Sequence, residues 1–226
     1  MILVAVASAA LISVVQASFF EWAFHRYWLH RPWLPKNVFT AHTLVHHQLC
    51  KHDDTFYVVE EEQEEALHFQ WWGGPVLIAI NMVPWMLIGW GLSSLGVVMP
   101  YWTMLAVGVG TFFLYYLGYE GFHNLMHRPR LPFIERSRWF RFLERHHRIH
   151  HVHMDRNLNV LLPLADLVLG TLITESTTSA PTPQAARTLA RRHSRFGRNL
   201  HAGEAQAEQA SDKPSPRAGM PDVPGA

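Results

Sequence analysis

The chain reads as an all-α integral-membrane helical bundle with a cytosolic helical cap that carries a histidine-rich dimetal site. Two observations carry that reading. Uncharged apolar segments about one bilayer long occur three times, and twelve of the sixteen histidines fall into four tight clusters just beyond or between them. A bilayer crossing takes roughly 20 apolar residues. Histidine is the commonest metal ligand, because neutral imidazole offers a nitrogen lone pair near physiological pH.

At 226 residues the chain allows one domain or two. Its mean hydropathy of -0.01 conceals a strong segregation of apolar from polar stretches. The first twenty residues are free of charge. They lack the basic start of a secretory signal, and the apolar run passes directly into Glu21 and the first histidine cluster, so a retained membrane helix over about 3–24 is predicted. Residues 66–119 hold no Lys, Arg, Asp or Glu. Two more spans, about 75–92 and 101–122, form a hairpin there, parted by Gly89, Gly91, Ser93, Ser94, Gly96 and Pro100. Pro84 predicts a kink in the first of these.

Charge sets the orientation. Arg26, Arg31 and Lys36 follow the first span, and Arg128, Arg130, Arg136, Arg138, Arg141, Arg145 and Arg148 follow the third, while the hairpin turn has no basic residue. The positive-inside rule puts both basic segments in the cytoplasm, as for a multi-pass protein of the bacterial inner membrane or endoplasmic reticulum. One span followed by a hairpin returns the chain to the same side, which brings all four clusters to one membrane face.

A catalytic domain over 1–175 is therefore expected, with a largely disordered tail over 176–226, where Ser, Thr, Ala, Pro, Arg and Glu leave too little apolar surface for a core. Within the tail, residues 185–200 carry five arginines and read either as a solvated transient helix or as a basic helix attracted to anionic lipid. The single Cys50 provides no disulfide framework. With a formal net charge of +1, no nucleic-acid partner is expected.

The clusters read HRYWLH at 25–30, HTLVHH at 42–47, HNLMH at 123–127 and HHRIHHVH at 146–153. His42 and His46 are one α-helical turn apart and share a face, with His47 pointing aside. His123 and His127 are again four apart, on a helix that continues the third span. The fourth cluster offers two registers: His147, His150 and His151, or His146 with His150. His25 and His30, five apart, lie about 140° around an α-helix, which suits ligands of different metals or a helix that ends between them. A single pair of this kind is usually a polar anchor. Twelve imidazoles packed on one face without a cation would repel or stay unsatisfied, a penalty of several kcal/mol by burial, and a dinuclear site relieves it.

The order H-x-x-x-x-H, H-x-x-x-H-H, H-x-x-x-H, H-H-x-x-H-H between spans resembles the fatty acid hydroxylase and sterol desaturase superfamily. Residues 156–173, RNLNVLLPLADLVLGTLI, resemble its closing stretch through Ala165, Asp166, Gly170 and Thr171. The similarity covers roughly residues 15–173. It implies a cytosol-facing pair of non-haem irons, or zinc in the isolated protein, that uses O2 to hydroxylate or desaturate a lipid C-H bond, most simply in lipid biosynthesis. The ligands carried over are His25, His30, His42, His46, His47, His123, His127, His147, His150 and His151, with His146 left as a neighbour that supports them. The second box departs from the pattern, with three residues rather than two before its His pair.

Glu21, one turn before His25, and Glu120, three residues before His123, lie at the ends of apolar spans, where an acid is costly. Both are predicted to orient metal-bound histidines by accepting their second N-H, with Asp155 and Asp166 as further candidates. Glu60, Glu61, Glu62, Glu64 and Glu65 read as a solvated helix start or as a docking surface for a basic electron donor. His52 and His68 read as structural or interfacial, and Trp22, Trp28, Trp33, Trp71, Trp72, Trp85, Trp90 and Trp102 as interface belts. No flavin, nucleotide or haem motif is present, so a lipid oxygenase would need a separate ferredoxin or cytochrome-type donor. A sterol or carotenoid oxidase of the same superfamily is the near alternative. A heavy-metal transporter or a non-catalytic zinc-binding scaffold are the alternatives of another class.

Overall fold

The computed structural model describes residues 2–33, 35–58, 63 and 66–174. The expectations for the tail, for the domain boundary near 175 and for the run Glu60, Glu61, Glu62, Glu64 and Glu65 lie outside the described residues. Within them the chain is helical and holds no strand.

Three helices are long and apolar enough to cross a membrane: α1 (Ile2–Phe24), which runs on as a π-helix over His25–Leu29, α4 (Gly73–Ser94) and α5 (Tyr101–His127). The shortest has 22 residues, or about 33 Å at 1.5 Å per residue, against a hydrocarbon core of about 30 Å. Their apolar side chains face outward along much of their length. Ile2, Leu3, Leu11, Leu87, Ile88 and Leu114 are exposed, which is the reverse of a water-soluble bundle. All three helices overrun the sequence limits, and two of the extensions carry histidines.

Between α1 and α4 lie α2 (Lys36–Phe39), a second π-helix (Thr40–His46), α3 (His47–Leu49) and a 3-10 turn (Asp54–Phe56). After α5 come α6 (Pro132–Glu135), α7 (Arg138–His150) and α8 (Leu164–Val168). The Ser137 hydroxyl accepts from Phe140 N at 3.1 Å and starts α7 as its N-cap.

The helix α4 continues through Pro84 and ends in a Schellman motif. Gly96 sits at φ +76°, and the amides of Gly96 and Val97 close on the carbonyls of Ser93 and Leu92 at 3.0 Å each. A side chain would strain that left-handed position. At Gly89 a Cβ would lie 1.9 Å from the Tyr101 ring, so glycine allows α4 and α5 to approach.

Helix α5 packs against both α1 and α4. Without water to exclude, membrane helices use packing and interhelical hydrogen bonds. Gln16 of α1 donates to the Asn81 carbonyl of α4 at 2.9 Å and accepts from Trp85 Nε1 at 2.8 Å. The closing segment 157–173 then clasps α1. The buried Ser18 hydroxyl donates to Leu162 O at 2.7 Å and accepts from Ala165 N at 3.1 Å.

Replacing Ser18 with Ala leaves the Ala165 amide unpaired in the interior, while the Leu162 carbonyl keeps its bond from Leu164 N at 2.8 Å. A loss of about 1–3 kcal/mol is expected, and thermal unfolding of the detergent-solubilised protein reads it. An unchanged midpoint would remove the clasp from the account of stability.

Candidate metal centre

The C-terminal ends of α1 and α5 meet α7 and the segment 40–47, and their histidines converge. His25, His30, His42, His47 and His150 form one group, and His46, His123, His127 and His147 a second, each with ligand atoms within 4.8 Å of one another. The two groups abut: the rings of His42 and His46 lie 5.1 Å apart, and those of His46 and His47 5.4 Å. His151 falls in neither compact set. Its Nε2 lies 3.1 Å from that of His147, and its ring stacks on His47 at 4.3 Å, so it occupies the seam between them.

The partition differs from the α-helical expectation. His25 and His30, assigned to different metals or to a broken helix, belong to one group. Their rings stack 4.9 Å apart because the backbone between them is π-helical, closed by His30 N to His25 O at 3.2 Å. A π-turn bonds residue i to i+5, so residues five apart align. The second π-helix repeats the device. It sets His42 beside His47 in the first group, Nε2 to Nε2 at 3.2 Å, and sends His46 into the second. The repeated five-residue spacing was the available signal, and it is unreadable with an α-helical period.

Ring tautomers follow from the acceptors around the centre. The Nδ1-H groups of His25, His123, His127 and His150 donate to the carbonyls of Leu158, Leu67, Phe56 and Arg156. Thr43 gives its only hydroxyl proton to Leu29 O at 2.6 Å, so His30 Nδ1, 3.1 Å away, donates to the Thr43 oxygen. Both His30 and His150 therefore carry a bare lone pair on Nε2, and these atoms face each other at 3.0 Å. Two acceptors cannot hydrogen-bond. Both ring nitrogens of His46, and His123 Nε2, are likewise buried without a partner among the described residues. Nitrogens about 3 Å apart are what two ligands at right angles around one cation present when each bond is about 2.1 Å. The residues present fit a metal ion in each group, and the all-imidazole donor set suits iron, zinc, copper or nickel.

Electrostatics agrees. Burial, followed by the repulsion between neighbouring imidazoles, pushes His30, His42, His46, His47, His147 and His151 well below the usual 6.5. Burial also brings His150 down to about 4. These rings are held in the neutral, ligating form.

The expected carboxylate contacts are corrected. Glu21 touches no imidazole of the centre: it accepts from Tyr115 Oη at 2.6 Å, from Asn159 Nδ2 at 3.2 Å and from Val160 N. It fixes the segment whose Leu158 carbonyl orients His25. Glu120 pairs with His68 Nδ1 at 2.9 Å and accepts from Phe69 N at 3.4 Å, which holds the segment whose Leu67 carbonyl orients His123. Each acid thus acts through a peptide, and His68 takes a structural role. Asp155 is exposed against Arg156 at 3.7 Å and contacts no histidine. His146, outside both groups, donates to Asp166 at 3.1 Å, in keeping with the register that starts at His147.

Asp166 is fully buried and accepts from His146, Leu158 N, Asn159 N and Thr171 Oγ1. Burial alone would raise its carboxyl, but these donors outweigh it and hold the group below its ordinary value. Asn157, at φ +52°, completes the turn by donating to His146 O at 3.1 Å and Ile173 O at 2.9 Å. Asp166 was marked by the sequence, whereas the contacts of Asn157 and the carbonyls of Phe56, Leu67, Arg156 and Leu158 escaped sequence reading, since a backbone acceptor leaves no residue-type signal. Asn157 alone carried one, as a residue tolerant of the left-handed region.

An apolar cleft runs from the centre into the spans. Phe20 and Phe24 of α1, His25 of the π-helix that continues it, Leu77 of α4, and Phe112 and Tyr119 of α5 line it. Its α1 wall follows one helix face from Ala17 to His25, about 12 Å of axis. Comparison with family models, curated proteins and solved structures returned no match.

Replacing Asp166 with Asn puts a donor against four donors, and metal retention is expected to weaken about ten-fold in chelator competition. Asp155→Asn should leave it unchanged. Equal loss in both would remove Asp166 from the support of the centre. The pH response of the metal-free protein has a fixed sign. Its histidines bind fewer protons folded than unfolded, so stability falls as pH drops from about 6.5 through about 4, by up to about 1.4 kcal/mol per unit for each histidine. Unfolding midpoints that stay flat over that window would contradict the burial of the cluster.

Proposed function

We propose that the chain is a membrane-bound dimetal oxygenase that hydroxylates, or desaturates, a C-H bond of a lipid. The observation that carries this reading is that His25, a member of the first histidine group, also lines the apolar cleft. An acyl or isoprenoid chain could enter between membrane helices and present one carbon beside the ligands. The similarity of the four boxes and of the closing stretch to the fatty acid hydroxylase and sterol desaturase superfamily supports the same reading.

His25, His30, His42, His47 and His150 would hold one ion, and His46, His123, His127 and His147 the other, with His151 at their seam. Two irons there would supply the redox chemistry that activates dioxygen. The protein's own groups do the rest. Backbone carbonyls fix the Nε2 lone pairs inward, Phe56 shields the second group by packing on His127 at 4.4 Å, and the aromatic cleft excludes water. Hydroxylation consumes O2, two electrons and two protons and yields an alcohol and water, so a separate ferredoxin or cytochrome-type donor is required. Basic residues after the first and third spans favour a cytoplasmic centre, in a bacterial inner membrane or endoplasmic reticulum.

A transporter would thread ligands through the bilayer, whereas the histidines of both groups lie at one end of the long helices. A zinc scaffold would use the same donors, and redox behaviour separates it. Protein purified without oxygen and loaded with Fe2+ is expected to bind about two ions per chain in a spin-coupled pair. With membrane lipid and a ferredoxin reductant, it should move label from 18O2 into lipid if it hydroxylates, or consume O2 and leave a new double bond if it desaturates. Tight zinc binding with no oxygen uptake on fatty acyl, sterol or carotenoid lipids would overturn the proposal.

A further inference from the structure

The segment 131–145 combines features that neither the fold nor the metal centre uses. On α7 the buried side carries Phe140, Leu143, His146, His147 and His150. The opposite side presents Arg138, Arg141 and Arg145, all exposed, within a stripe about 60° wide. Arg136, just before α7, is exposed as well. None of these four arginines has an acidic partner among the described residues. The local acids are committed elsewhere: Glu135 accepts from Leu131 N at 2.7 Å, and Glu144 from Tyr57 Oη at 2.6 Å and from Arg148 at 3.5 Å.

Apolar groups are interleaved with this charge. Phe133 is 76% exposed, Trp139 48% and Leu131 42%. Trp139 packs on Phe142 at 5.4 Å at the start of α7, about 100° around the helix from Arg138. In water such a surface leaves large rings unburied, yet the same combination fits the boundary between lipid headgroups and acyl chains. The location fits too. Helix α5 ends at His127 and α6 begins at Pro132, so the five residue steps between them keep α6 within about 18 Å of the end of a candidate span.

We infer that the α6–α7 surface seats on the bilayer, with Phe133 and Trp139 in the interface and Arg136, Arg138, Arg141 and Arg145 on anionic lipid headgroups. An acidic protein could also meet four arginines. The exposed phenylalanine and the short tether to α5 favour lipid. The inference stands apart from the oxygenase reading and needs only that α5 crosses the membrane.

The test uses the full-length chain in nanodiscs of phosphatidylcholine with or without about one-third phosphatidylglycerol. Phe133→Cys is labelled with an environment-sensitive fluorophore, while the native Cys50 is fully buried. With phosphatidylglycerol present, the label should be quenched by headgroup-proximal doxyl lipid and protected from iodide. The quadruple variant R136Q/R138Q/R141Q/R145Q should lose the dependence on phosphatidylglycerol, with a weakening of about five-fold for each arginine removed singly. An unchanged metal-to-protein ratio certifies that it is folded. A label open to iodide in both lipid compositions would overturn the inference, as would iodide protection that arises only when a soluble acidic electron-transfer protein is added.

Discussion

The structure is organised around imidazole lone pairs that face one another in a buried space. Once the Nδ1-H of His30 is given to Thr43 and that of His150 to Arg156, their Nε2 atoms meet as two acceptors 3.0 Å apart. Packing cannot relieve such a contact, and protonation is opposed by burial, which carries His30 and His150 below their usual basicity. A cation is the remaining way to satisfy both atoms. With a cation bound there, folding of this end of the molecule and occupation of the site would be one linked equilibrium.

That constraint explains why so much of the chain serves as backbone acceptor. A metal-bound imidazole needs its second nitrogen fixed, and here the carbonyls of Phe56, Leu67, Arg156 and Leu158 would do the fixing. A carbonyl orients a ring only as well as its own peptide is held. The acids do this holding: Asp166 and Glu21 bind the amides of residues 158–160, and Glu120 binds Phe69. Placing carboxylates one peptide away from the rings keeps negative charge off the ligands and still makes their geometry depend on it.

The spans and the four clusters were legible because both rest on period and composition. The gap of 54 uncharged residues at 66–119 has few readings, and the spacings of His123 with His127 and of His147 with His151 suit an α-helix. The pairing of ligands was not legible at His25, His30, His42, His46 and His47, since that inference assumed 3.6 residues per turn where the backbone is π-helical. The roles of Glu21 and Glu120 were half legible. Their cost in an apolar span marked them as functional, but a nearest histidine in sequence is a poor guide when tertiary partners such as Val160 and His68 compete for the same oxygen atoms.

The π-helices also bear on why the centre sits where α1 ends. A π-turn is intrinsically poorer than an α-turn and persists where something else stabilises it. In α1 that support comes from the closing segment, which bonds Ser18, Glu21 and Trp22 in consecutive turns through Ala165, Val160 and Thr171. The same segment supplies Leu158 O to His25, and Arg156 just before it supplies its carbonyl to His150. Removing it would release the widened turn, both ring orientations and the seat of Asp166 together. The membrane helices and the histidine centre are thus a single cooperative unit, joined by some fifteen residues that carry no ligand themselves.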